Sequence, residues 1–276
     1  MSAPLLCAVD FSELADWTVR FAAAFARLTH APLTLLHARE HGDGAETAAS
    51  RLEALARTCG GADLLVHTEF AEGDPAESIV RRAAALRASA IVMGTHGGRG
   101  LERLMLGSVA ETVLHRAGRP VATLRGPGHA EGPIRKIVCG ADLEDPSPLL
   151  YAAGLAHRTS AELVVVHAVR DLPEEGGHGL VPSSYGPTLL EEARKSLARA
   201  VAPLDASPGR VVPRVIPGSP SRALLRTAED ESADLLVVGV HPHMLGSTTH
   251  PIIRGAPCPV LTIPRAAGRA GGDVTG

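Results

Sequence analysis

The chain has 276 residues, 45% of them hydrophobic and 3% aromatic, and a formal net charge of −3. That length suits about two domains, with cores built mainly from Ala, Val, Leu and Ile. Up to residue 130 there are 13 basic and 14 acidic side chains, and beyond it 14 and 16, so neither part is a basic platform and no nucleic-acid partner is expected.

The opening Met1-Ser2-Ala3-Pro4 leads straight into an apolar run. It lacks the basic region and long apolar stretch of a signal peptide. No later segment approaches membrane-spanning length, so no membrane partner is expected. Leu5 to Val9 reads as the first strand, and Ser12 as the N-cap of the helix behind it. That helix presents Ala15, Val19, Ala22, Ala23 and Ala26 at helical spacing. Leu33 to Ala38 is the second strand, followed by a helix near Ala45 to Cys59. Leu64 to Thr68 is predicted as the third strand. Pro75 suits the first turn of the next helix, where its missing N–H costs nothing. Ile91 to Gly94 and Val121 to Leu124 are the fourth and fifth strands.

The same series then recurs. Leu6-Cys7-Ala8-Val9-Asp10 matches Val138-Cys139-Gly140-Ala141-Asp142. Leu33 to Ala38 matches Leu163 to Ala168, Gly73-Asp74-Pro75 matches Gly218-Ser219-Pro220, and Ala90 to Gly94 matches Leu235 to Gly239. Gly107-Ser108 matches Gly246-Ser247, and Pro120 to Leu124 matches Pro259 to Ile263. The period is that of a duplicated domain rather than a solenoid repeat. The copies meet at a Gly/Pro-rich linker from Arg125 to Pro133.

Strands apolar on both faces and separated by helices mean a parallel sheet covered on both sides. The expected fold is α/β, with two tandem doubly wound, five-stranded, Rossmann-like domains. Their expected bounds are 1–127 and 133–265, with 266–276 a disordered tail. In the second copy, Asp171 to Pro187 is rich in Gly, Pro and Ser and reads as a mobile loop before a helix at about Thr188 to Val201. Cys7, Cys59, Cys139 and Cys258 form no CxxC pair, which fits a reduced, cytoplasmic protein.

After the fourth strand the first copy runs from Met93 to Val109 with the pattern Gly-x2-Gly-x9-Gly-Ser, on Gly94, Gly97, Gly107 and Ser108. Ligands of open α/β sheets bind at that strand edge. Gly94 and Gly97 allow close approach of the backbone to a ligand. Gly107 and Ser108 open a helix whose free N–H groups favour an anion. Arg99 and Arg103 could add charge or face solvent. Asp10 ends the first strand at the same edge, where a carboxylate can accept hydrogen bonds from a ribose or an adenine amino group.

These residues resemble the universal stress protein family, in its ATP-binding subgroup, over nearly the whole chain and twice. The resemblance rests on Val9-Asp10-Phe11-Ser12, on Leu36-His37-Ala38 and on the glycine loop. It implies that Asp10 contacts the nucleoside and that Ala8 and Ala38 lie by the adenine. Met93, Gly94 and Gly97 would line the ribose and phosphates, and Gly107, Ser108 and Val109 would bind the phosphates. It also implies ATP as ligand, with Mg²⁺ as a candidate companion, and either homodimers or two halves of one chain paired like a dimer. The expected role is an ATP-binding regulatory protein of the stress response. The alternatives are a slow ATP hydrolase and a nucleotide-independent interaction scaffold. A bare glycine-rich surface loop is the rival reading of the motif.

The second copy departs from the pattern. Its second glycine is replaced by Pro242, which has no N–H. Gly94 to Gly107 spans 13 positions, whereas Gly239 to Gly246 spans 7. This half is expected not to bind ATP in the family's usual way, and to pair with the first. His241, His243 and His250 match no standard metal spacing, so solvent-facing histidines are the better reading. His37 and His167 occupy equivalent strand ends, which points to a structural hydrogen bond to a neighbouring loop. No catalytic set is visible. The two lysines, Lys136 and Lys195, lie outside any P-loop pattern, so hydrolysis of ATP would at most be slow.

Overall fold

The structure, a computed structural model, describes residues 2–39, 45–61, 63–95, 106–126, 132–170, 186–204, 209–240, 246 and 248–265. The first half runs β1 (Leu5–Ala8), α1 (Ala15–Leu28), β2 (Leu33–Arg39), α2 (Ala45–Cys59), β3 (Val66–Glu72), α3 (Pro75–Ala85), β4 (Ala90–Gly94), α4 (Ser108–Arg116) and β5 (Val121–Leu124). The second runs β6 (Lys136–Gly140), α5 (Ser147–Thr159), β7 (Glu162–Val169), α6 (Gly186–Val201), β8 (Val211–Pro217), α7 (Pro220–Asp230), β9 (Leu235–Val240), α8 (Thr249–Gly255) and β10 (Val260–Pro264). The predicted tail 266–276 and most of the 171–187 insertion lie outside the described residues.

Each half is a parallel sheet, ordered β3-β2-β1-β4-β5 in the first and β8-β7-β6-β9-β10 in the second. The central strands are buried on both faces because helices cover both. The two sheets are not separate. β5 and β10 pair antiparallel, with Leu261 opposite Ala122, and join the halves into one ten-stranded sheet among the described residues. One apolar layer, with Leu5, Phe25, Leu163 and Leu261, covers one face of both halves. A second, with Leu6, Ile91, Val138 and Leu236, covers the other. Both layers cross the seam, so the pairing is a core feature as well as a ladder of hydrogen bonds.

Local signals explain most boundaries. Asp74 caps α3, its carboxylate accepting the Glu77 N–H at 2.8 Å, and Pro75 stands in the first turn as expected. Gly73 and Gly218 hold φ of +109° and +104° immediately before α3 and α7. The chain reverses at those points through a conformation that a side chain would strain.

Two expectations need correction. Ser12 does not cap α1, which begins at Ala15 after Leu14 with no side-chain cap. Instead its hydroxyl accepts the Leu14 N–H at 3.3 Å, two residues on, forming a turn ahead of the helix. The third strand is Val66–Glu72 rather than Leu64 to Thr68. As an outer strand it is half-buried only at Val66, Glu69 and Ala71 and exposed elsewhere. The apolar pair Leu64-Leu65 therefore marks its approach; Leu65 is 55% exposed.

Candidate functional site

β1 and β4 lie side by side, with Ala8 in register with Met93. The chain leaves β1 through Val9, whose N–H donates to Leu36 O at 2.9 Å. Asp10 follows, exposed, its Oδ1 accepting the Ser12 N–H at 2.9 Å. Phe11 then takes a left-handed backbone, φ +59°, an uncommon conformation for a bulky residue. Its ring lies 4.3 Å from that of His37, and the Arg51 guanidinium sits over the same ring, 4.5 Å from its centroid. Arg51 also donates to Phe11 O at 3.2 Å. These neighbours hold the turn that presents Asp10 at the strand edge.

His37 has the structural role its position implied. Its Nδ1 meets Val9 O at 2.7 Å, and because a carbonyl can only accept, Nδ1 carries the proton. His167 makes the equivalent bond to Ala141 O at 3.0 Å. In both halves this bond ties the end of the second strand to the loop leaving the first.

The glycine-loop base is built around Thr95. Its N–H and hydroxyl donate to Leu124 O at 2.8 and 3.2 Å. Its carbonyl accepts the Gly107 N–H at 2.8 Å. Thr95 and Gly107 thus close the loop, and residues 96–105, Gly97 and His96 included, lie outside the described residues. The Gly107 N–H is engaged by Thr95, so any anion at this helix must use the N–H groups beyond it. Gly107 precedes α4 in extended conformation with no side-chain cap. The first-turn N–H groups from Ser108 onward have no intrahelical carbonyl to bond.

The described members of the expected site share one end of the sheet. Ala8 and Val109 pack on the apolar layer that contains Met93. Ala38 lies two residues past buried Leu36 and so on the same face. Gly94 ends β4, and Ser108 is exposed at the start of α4. The strand-edge carboxylate, the apolar wall of Ala8, Ala38 and Met93, and the uncapped helix therefore belong to one edge.

In the second half the same edge carries a cavity of about 440 Å³ bounded by Asp142, Asp145, Ala168, Gly239, Gly246 and Arg265. Arg265 donates to Asp142 Oδ2, and its Nε lies 3.4 Å from Asp145 Oδ2. Asp145 Oδ1 accepts the Ser147 N–H at 3.0 Å. Burial pushes the Asp145 carboxyl up, but the Ser147 bonds and the Arg265 charge outweigh it and hold it below the usual carboxylate range. Sequence reasoning aligned Asp142 with Asp10 but missed Arg265, whose partners are 123 and 120 residues away in the chain. Only its place at the end of β10 brings them together. Pro242, His241, His243 and Ser247 lie outside the described residues; His250 lies in α8. No cluster of three or more metal-ligating side chains occurs among the described residues. None of their helices is long and apolar enough to cross a membrane.

A family model for the universal stress protein family matches residues 1–125 and again 133–264. The chain belongs to the universal stress protein family. A universal stress protein of Mycolicibacterium smegmatis is 27% identical, over 94% of this chain and 96% of its own. Among solved structures, a universal stress protein from Archaeoglobus fulgidus superposes with a TM-score of 0.75 at 20% identity, covering 96% of this chain and 100% of that one. That likeness shows the two-domain fold. Another universal stress protein from Archaeoglobus fulgidus is solved in complex with dAMP; it is 28% identical, covers 44% of this chain and 97% of its own, and has a TM-score of 0.37.

Proposed function

We propose that this universal stress protein is a cytoplasmic, ATP-binding regulatory protein whose first half holds the nucleotide. The observation that carries the reading is the junction of Thr95 and Gly107. It closes a glycine-bearing loop directly onto an uncapped helix N-terminus, at the sheet edge where Asp10 is exposed. The helix end favours phosphate. Asp10 provides an acceptor for the nucleoside, and Ala8, Ala38 and Met93 an apolar wall for the base. Gly94 and Gly97 give the phosphates room, and Ser108 and Val109 open the helix that receives them. Gly107 contributes the turn into that helix rather than its N–H. Mg²⁺ would accompany the triphosphate.

Occupancy acts by favouring whichever conformation binds ATP better. β5 is already paired with β10 within the chain, so a homodimer would use another surface. Calorimetric titration of nucleotide-free protein with ATP and Mg²⁺ tests the proposal. One site per chain is the expected result. Two ATP sites per chain, or none, would sink it.

A further inference from the structure

We propose that the free edge of β3 is a dimerisation edge, on which a second copy of this chain lays its own β3 antiparallel about a two-fold axis at Thr68. The proposal does not depend on the ATP reading. β3 and β8 are the two outermost strands of the ten-stranded sheet, and they treat their outer edges differently. Leu33 N–H donates to Leu65 O, and Gly73 N–H donates to Arg39 O. The odd-numbered residues of β3 therefore turn their backbone groups toward β2, and Val66, Thr68, Phe70 and Glu72 turn theirs outward. In the other half, Leu163 N–H donates to Arg210 O and Gly218 N–H to Val169 O. The outward positions of β8 are thus Val211, Pro213, Val215 and Pro217. Leu33 faces Val66 as its equivalent Leu163 faces Val211, so Pro213 stands where Thr68 does and Pro217 where Glu72 does. Two of the four outward donors are missing from β8, which blunts that edge against pairing. β3 keeps all four.

The side chains of β3 select the occupant, because the strand is complementary to itself. With the axis at Thr68, Val66 lies opposite the partner's Phe70, and Leu65 opposite the partner's Ala71. Leu65 and Phe70, 55% and 45% exposed, are two of the large apolar side chains left on the surface. Aromatic and β-branched residues are favourable cross-strand pairs. His67 lies opposite the partner's Glu69 in a pair without backbone bonds, where side chains approach most closely. Glu69 already accepts from Arg82 of its own α3, and a carboxylate has acceptor capacity left for an imidazole N–H. Pairing Val66, Thr68 and Phe70 in this register forms about six backbone hydrogen bonds. Other axes fit worse. One at Glu69 sets two carboxylates against each other, which is destabilising. One at Phe70 puts Val66 opposite the partner's Asp74, beyond the end of the strand.

Sedimentation velocity of the full chain over a dilution series tests the proposal. A reversible monomer–dimer equilibrium is expected. Thr68→Pro copies into β3 the proline that β8 already accommodates at the equivalent position, and it spares the ladder to β2. It should weaken the dimer at least about tenfold. His67→Glu should weaken it similarly, and His67→Lys should keep it. Thr68→Cys supplies a readout that misfolding cannot imitate. Opposed residues of a hydrogen-bonded antiparallel pair have Cα atoms about 5.5 Å apart, within disulfide reach, so mild oxidation should link two chains. The four native cysteines are buried. Glu72→Cys places its sulfur about 27 Å from the partner's along the strand, and should not link. A chain that stays monomeric throughout the series, a dimer indifferent to Thr68→Pro, or cross-linking as ready through position 72 as through 68 would each overturn the proposal.

Discussion

Thr123 and Thr262 hydrogen-bond reciprocally across the seam between the two halves. Thr123 Oγ1 donates to Val260 O at 3.4 Å, and Thr262 Oγ1 donates to Val121 O at 3.0 Å. Thr123 and Thr262 are equivalent residues of the repeat, and so are Val121 and Val260. The pair therefore records a local two-fold axis through Ala122 and Leu261, which face each other. Both threonines are buried.

Replacing both threonines with valine keeps the shape and the β-branching but removes the two bonds. Each is worth about 1 kcal/mol, so the double variant should lose about 2 kcal/mol in urea unfolding. An unchanged midpoint would mean that the seam does not depend on these hydroxyls.

Ser108 begins the uncapped helix α4. Ser108→Asp places a negative charge where the helix dipole welcomes it, which should stabilise the free protein by about 0.3–1 kcal/mol. The same charge would repel a phosphate. Thermal unfolding should rise while ATP affinity falls by about tenfold or more. Undiminished ATP binding would place the phosphates elsewhere.

Glu231 receives hydrogen bonds from Lys136 at 2.5 Å and from Arg214. The Lys136 bond is the largest influence on its carboxyl. Against a smaller upward push from burial, it and Arg214 hold the group below the usual range. A carboxylate with a depressed folded pKa contributes stability above its unfolded pKa and loses it as pH falls through the folded one. Glu231→Gln should therefore be less stable than the parent at pH 7. The gap should close as pH drops below about 4. Urea midpoints at several pH values would show it, and a gap independent of pH would exclude this linkage.

All four cysteines are buried. Burial is the main cause that pushes the Cys139 and Cys258 thiols up to about 12, and it raises Cys7 and Cys59 as well. Since the thiolate is the reactive species, a thiol reagent at pH 8 should label the native chain very slowly and all four sites once it is unfolded. Rapid labelling of one site in the native protein would show local opening there.

Much of the fold was legible because a duplicated α/β unit repeats its signals. Central strands read as unbroken apolar runs, Pro75 and Pro220 opened helices, and His37 with His167 marked matching strand ends. Legibility failed where the signal was shared between meanings. Leu64-Leu65 is as apolar as a strand but only leads into one. Ser12 is a cap residue by type, yet it closes a turn two residues long. Of the expected site, Asp10, Gly94 and Ser108 could be named as candidates from spacing and from resemblance, and the structure places them at one end of the sheet. That the Gly107 N–H is committed to Thr95 could not, since the bond depends on where the loop returns.

The sequence by itself determined two similar α/β halves, the residues that gather at one strand edge of the first, and the loss of the glycine pattern in the second half. These follow from local periodicity and from residue chemistry read within a few turns of chain. Only the tertiary structure decided that β5 and β10 fuse the halves into one sheet, and that Arg265 pairs with both Asp142 and Asp145. Both depend on partners more than a hundred residues apart, chosen by packing and charge once the strands are in place. No pattern along the chain encodes which distant partner an edge strand or a buried charge will meet.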